Sequence, residues 1–154
     1  MECRVEAYLV NSTKSEVFFF TTYNHEAKWK PAISVEGKRI PFTEHPRLLG
    51  VYLDCQLSFH YHTKEIAGAA SKKLRLLSLV SHSDWGWGRA ELHKLYSAFV
   101  RTKLDYAAPS WQPWLSPSNV ELLDRVQNRA LRLITGQMAG APTDALRLES
   151  GVPS

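Results

Sequence analysis

Cysteine is scarce in this chain: Cys3 and Cys55 stand far apart and no CxxC occurs, so neither a disulfide framework nor a zinc ribbon is written into it. A reducing compartment fits that usage. No run of about 18 apolar residues exists, which argues against a membrane-crossing helix and sets the expectation of no membrane partner. The opening MECRVEAYLVNSTKSE places acids where a secretory signal needs a basic end and an apolar stretch. The expectation is therefore an intracellular protein, nuclear or cytoplasmic. Motifs for covalent and phosphoryl chemistry are missing as well, with no GxSxG, no GxxxxGK, and no DxD or DD pair to hold two divalent ions. His60 and His62 sit two apart, but no third ligand stands at a recognised zinc spacing, so two surface or partly buried histidines is the simpler reading and no metal site is expected. Asp54, Asp84 and Asp105 are lone acids, read as turn or helix-end residues.

What is present is an ordinary globular composition, 44% hydrophobic and 22% charged over 154 residues. That length suffices for one sizeable core, or for the end of one domain plus a smaller second one. The formal charge is +4, a lean towards an anionic partner such as nucleic acid.

The first 13 residues carry no clear period, although Val5 to Val10 could close a helix or begin a strand. Glu16 to Thr22, EVFFFTT, reads as a strand buried on both faces, because Phe18, Phe19 and Phe20 do not alternate with polar residues. Ala32 to Pro41 spells two short β-like runs around Glu36-Gly37, where glycine supplies the positive φ of a tight hairpin. After Pro46, Arg47 to Leu53 returns to β composition. From His62 the period becomes helical: Ile66, Ala70, Leu74 and Leu77 share one face, with Lys64, Lys72, Lys73 and Arg75 mostly off it. The loop SHSDWGWGR ends that helix. A second begins near Arg89, with Leu92, Leu95, Tyr96, Phe99 and Lys103 as its stripe, and breaks near Pro109. Ser116 before Pro117 is an N-terminal signal for a third helix reaching Gly136, with Val120, Leu123, Ala130, Leu131 and Ile134 on its apolar face and Arg125, Arg129 and Arg132 on another. Thr143 can cap a short last helix through Glu149. Strands followed by helices predict an α+β fold: a small antiparallel sheet or hairpin, then a three- to four-helix bundle, with the division at residues 1–61 and 62–154.

Charge divides with the elements. Residues 62–136 hold 11 Lys/Arg against six Asp/Glu, a balance of +5, which leaves −1 for the rest. A basic run such as Lys72-Lys73-x-Arg75 is either a solvated helix face or a phosphate-binding one. Five tryptophans, Trp29, Trp85, Trp87, Trp111 and Trp114, either plug the corners between helices or stack on bases from loops flanking the basic helices.

Several segments, taken together and in order, resemble one family. NSTKSEVFFF looks like the block after the catalytic loop in reverse transcriptases of non-LTR (LINE-type) retrotransposons; RLLGVYLDCQLSFHYHTKEI is similar to the next block; and LHKLYSAFVRTKLDYAAPSWQPW, LLDRVQNRALRLITG and DALRLESGVPS look like the thumb and the segment after it. DWGWGRAEL and DYAAPSWQPWLSPS are especially like ingi-type and jockey-type elements. The resemblance covers roughly residues 8–154.

It implies an RNA-directed DNA polymerase, with residues 1–61 as the end of a palm and 62–154 as a thumb. Lys14 matches a palm lysine placed to protonate pyrophosphate or position the nucleotide. Leu48, Leu49, Gly50, Val51 and Leu53 match the primer grip, a hairpin that positions the primer end. Lys64, Lys72, Lys73, Arg75, Arg101, Arg125, Arg129 and Arg132 would contact the phosphates of an RNA/DNA template–primer duplex. The family's three catalytic aspartates, which hold Mg²⁺ in the intact enzyme, have no counterpart here, so the expectation is a C-terminal palm and thumb fragment with no cofactor of its own and no polymerase activity alone. The rival expectation is a small helical interaction module that self-associates through exposed palm strands, Phe18 to Phe20 and Leu48 to Leu53.

Overall fold

A computed structural model describes residues 11, 14–35, 37–81 and 87–137. The N-terminal stretch at Val5 to Val10, Cys3, His82, Asp84, Trp85 and the helix expected after Thr143 lie outside the described residues. The fold is α+β, in two compact units, Met1–Ser58 and Phe59–Ser154.

The first unit is built on two antiparallel hairpins. In the first, β1 (Ser34–Val35) pairs with β2 (Lys38–Arg39), and Gly37 at φ 76° makes the turn that the Glu36-Gly37 dipeptide predicts. The second divides the β-like run over Arg47 to Leu53: the chain reverses within it, β3 (Arg47–Leu48) pairing with β4 (Val51–Tyr52). Leu49 and Gly50, at φ 46° and 88°, supply the two left-handed residues of a type I′ turn. The strand expected over Glu16 to Thr22 is corrected. It forms an isolated bridge, Val17 to Phe42, and its aromatics alternate in exposure, with Phe18 and Phe20 more than two-fifths exposed. The rings pack on their neighbours in place of a second layer: Phe18 meets Phe20 edge-on at 5.0 Å between centroids, and Phe19 meets Trp29 at 4.9 Å.

Asp54 shapes the end of this unit. Its carboxylate accepts hydrogen bonds from the Gln56 and Ser58 amides at 3.2 and 2.8 Å and from the Ser58 hydroxyl at 3.0 Å, closing the turn that follows β4.

The second unit is helical. Helix α1 (His60–Val80) starts two residues earlier than the period indicates and buries Ile66, Ala67, Ala70, Leu74 and Leu77. Helix α2 (Arg89–Leu95) continues through a π-helical segment, Tyr96–Arg101, into α3 (Thr102–Asp105). The π segment corrects the expected stripe. Its wider turn moves the buried position one residue on, so that Leu92, Tyr96 and Val100 face inward and Phe99 is 53% exposed. A short α4 (Ala108–Trp111) and a 3₁₀ turn (Gln112–Trp114) lead to α5 (Pro117–Thr135), which begins and ends where the sequence places it. Ser116 flanks α5 in extended backbone and Pro117 takes its first position, but the Ser116 hydroxyl contacts Ser118 at 3.0 Å and caps no amide. Gly136 at φ 68° stops the helix. Val120, expected on the apolar face, is 43% exposed, and Val126 takes the inward position. The small side chains of Ala67, Ala70 and Ala130 let α1 and α5 approach closely, with Leu74, Leu131 and Ile134 filling the seam.

Candidate nucleic-acid interface

The seam between α1 and α5 opens outward into a groove of about 370 Å³. Lys64 stands on the α1 side, Arg125 and Arg129 on the α5 side, and Gly68 and Ser71 line the floor. All three cations are exposed. A helix repeats its face every three to four residues, so Lys72 and Arg75, both exposed, extend the same side of α1 beyond Ser71. Arg125 donates to Glu121 at 2.7 Å across one turn of α5, with both side chains more than 60% exposed. A pair this exposed is held weakly, by about 0.3–0.5 kcal/mol, and can exchange Glu121 for a phosphate.

The remaining basic residues do not join this groove. Lys73 is turned the other way, donating its ammonium to the Phe99 carbonyl at 2.8 Å and fastening α1 to the π segment. Arg101 pairs with Asp105 at 3.0 Å and lines a different pocket. Arg132 is half-buried, with a buried Nε that has no hydrogen-bond partner among the described residues. Of the eight basic positions marked in the sequence, Lys64, Arg125 and Arg129 converge in one groove and Lys72 and Arg75 extend it, while Lys73, Arg101 and Arg132 serve elsewhere.

The hairpin residues divide between display and anchorage. Val51 is buried and Leu53 half-buried, its amide donating to the Pro46 carbonyl at 3.0 Å. Leu48 and Leu49 are 61% and 85% exposed at the tip. A left-handed non-glycine residue costs about 1–2 kcal/mol, so Leu49 is both strained and solvent-facing, a combination that packing does not explain. Arg47 lies over the Tyr52 ring at 5.4 Å, stiffening the base of the hairpin. Lys14 is exposed, in a turn where its amide donates to the Asn11 carbonyl at 3.1 Å.

The tryptophans split between the two readings. Trp111 is 1% exposed, stands edge-on to His62 at 5.2 Å and donates its indole N–H to the Tyr106 carbonyl, a corner plug. Trp87 and Trp114 are 52% and 71% exposed. His60 and His62 diverge: Nδ1 of His60 lies 2.8 Å from Asn119 Oδ1, and His62 is buried against Trp111. No cluster of three His, Cys, Asp or Glu side chains suited to a metal ion occurs among the described residues. No described helix is long and apolar enough to cross a membrane.

Two features escaped the sequence reading. Gly68 and Ser71 look like ordinary helix residues, and only their place opposite Arg125 and Arg129 makes them a groove floor. Tyr96 reads as one more stripe residue; the signal was a hydroxyl on an otherwise apolar face.

Sequence comparison relates the chain to the reverse transcriptases of retrotransposons. One relative is the probable RNA-directed DNA polymerase from transposon X-element of Drosophila melanogaster, 28% identical over an alignment of 133 residues that covers 82% of this chain. The match spans 14% of that protein's length. No family model matches the chain, and no solved structure does.

Proposed function

We propose that this chain serves as the template–primer-contacting part of a non-LTR reverse transcriptase. In this reading the second unit is a thumb that follows a duplex through its phosphates, and the Leu48–Leu53 hairpin of the first unit is a primer grip. The observation that carries it is the convergence of Lys64, Arg125 and Arg129 on one open groove, continued by Lys72 and Arg75. Cations lining an open groove suit backbone tracking, which is independent of sequence. The exposed leucine tip fits a grip on a primer end, and Lys14 is assigned its family role near the leaving group. Mg²⁺ would be held by other residues of an intact enzyme, and the 154 residues alone are expected to extend no primer.

Binding of an RNA/DNA duplex measured across salt concentrations tests the groove. Affinity should fall steeply with salt, and replacing Lys64, Arg125 or Arg129 by Gln should each lower the log–log slope by about one, as one lost phosphate contact does. Arg101→Gln should leave the slope unchanged. Salt-insensitive self-association without duplex binding would instead favour an interaction module joined through Phe18, Phe20, Leu48 and Leu49, all exposed. Primer extension by the purified chain with Mg²⁺ and dNTPs would overturn the assignment of inactivity.

A further inference from the structure

The floor of the basic groove differs in chemistry from its walls. Lys64, Gly68, Ser71 and Arg75 follow one another along α1 at spacings of four, three and four residues, so they form one line on the helix surface. Cations stand at the two ends of that line, about 16 Å apart at the helical rise per residue, with two small residues between them. Arg125 and Arg129 flank this shallow stretch from α5, about 6 Å apart along their own helix, which is the scale of one step between successive phosphates of a strand. Lys64 and Arg129 enter no ion pair among the described residues.

Neither small residue is accounted for by packing. Gly68 lies in the interior of a 21-residue helix, where glycine is less favourable than alanine by about 1 kcal/mol, and a Cβ built there meets nothing within 4 Å. The space above it is open. Ser71 is half-buried, and its hydroxyl makes no hydrogen bond among the described residues. Serine and threonine inside a helix commonly turn the hydroxyl back on a carbonyl of the preceding turn, as Thr63 does to Phe59 at 2.8 Å and Ser78 to Arg75 at 2.7 Å in this same helix. The Ser71 hydroxyl is left as a neutral donor and acceptor among four cations.

Phosphates go to the cations, because charge-assisted hydrogen bonds are about twice as strong as neutral ones. What remains for a neutral hydroxyl on the floor is the sugar. Deoxyribose has no partner to offer at its 2′ position, whereas the ribose 2′-hydroxyl both donates and accepts. We propose that this groove seats an RNA strand, with its phosphates on Lys64, Arg125 and Arg129, a ribose lying over Gly68, and the 2′-hydroxyl bonded to Ser71. The missing Cβ at position 68 lets the sugar approach the helix backbone closely enough for that bond. In A-form geometry the 2′-hydroxyls border a wide, shallow minor groove, where a helix surface can reach them. The proposal rests on the reading of the groove as a duplex-tracking surface and adds which strand lies in it and what recognises that strand.

The test titrates the full chain, by fluorescence anisotropy at fixed salt, with three duplexes of one sequence that share a DNA strand and differ in its complement: RNA, 2′-fluoro RNA or DNA. The 2′-fluoro strand keeps the sugar geometry of RNA and cannot donate. The RNA hybrid should bind about two- to tenfold more tightly than the 2′-fluoro hybrid, the range of one neutral hydrogen bond. Ser71→Ala, a change that favours the helix, should bring the RNA hybrid down to the 2′-fluoro value and leave the salt slope unchanged. Gly68→Leu has open space for its side chain, so it should fold and weaken the RNA hybrid more than Ser71→Ala does. Equal affinity for the RNA and 2′-fluoro hybrids, undiminished binding by Gly68→Leu, or a Ser71→Ala loss of one size on all three duplexes, the mark of a phosphate contact, overturns the proposal and leaves the groove reading standing. Absence of salt-dependent duplex binding overturns both.

Discussion

At the scale of single residues, side chains of one chemical type do different work according to where the fold puts them. Lys64 and Lys73 are nine residues apart on one helix, yet Lys64 opens onto the groove while Lys73 is spent on the Phe99 carbonyl. Tyr96 carries a pH prediction. Its folded pKa is raised above the ordinary 10.0 by burial, so below that value its neutral form is common to folded and unfolded chains and stability is fully present. As pH climbs past 10 the unfolded chain ionises first, and stability is lost progressively up to the raised folded value. Urea unfolding of wild type and Tyr96→Phe between pH 8 and 11.5 should therefore show curves that separate further above about pH 10, with the wild type falling faster. Asp54 supports a second prediction. Its carboxylate accepts from two amides and a hydroxyl, so Asp54→Ala should speed hydrogen exchange at the Gln56 and Ser58 amides and cost the turn about 1–2 kcal/mol. Unchanged exchange at both amides would show that the backbone alone closes the turn.

At the scale of elements, the two long helices and the hairpin turning at Gly37 were legible, and the remaining strands were not. The stripe of α1 and the stop at Gly136 are local signals, written in the spacing of Ile66, Ala70, Leu74 and Leu77 and in a residue that adopts positive φ freely. Composition alone hid the reversal within Arg47–Leu53, because Leu49 is a poor turn residue that the fold nevertheless holds in left-handed backbone. The π segment was equally hidden, since period reading assumes a constant 3.6 residues per turn. Gly68 sits inside α1 with nothing within 4 Å of where a Cβ would stand. Gly68→Ala should raise stability by about 0.5–1 kcal/mol in chemical denaturation, through the reduced freedom of the unfolded chain. A loss of stability would mean that the helix backbone there is not free to carry a side chain.

At the scale of the whole molecule, stability is unevenly shared. The contiguous buried cluster belongs to α1, α2 with its π segment, and α5, whereas the described part of the first unit buries few apolar side chains, Ile40 and Val51 among them. Native-state hydrogen exchange should accordingly protect the amides of α1 and α5 far longer than those of the two hairpins, by on the order of a hundredfold or more. Comparable protection in the hairpins would show that the first unit is held by contacts beyond its own strands.

The sequence by itself determined the α+β order, the approximate span of the long helices and the inward face of α1, the basic character of the helical part, and the order of blocks that resembles a reverse transcriptase. These are local properties, fixed by residue spacing and backbone preference. Only the tertiary structure decided which cations share a groove and which are consumed by Phe99 or Asp105, and that a tyrosine hydroxyl lies buried in the helical unit. Whether a charged or polar group is available depends on what packs against it from distant parts of the chain, and no spacing along one helix records that.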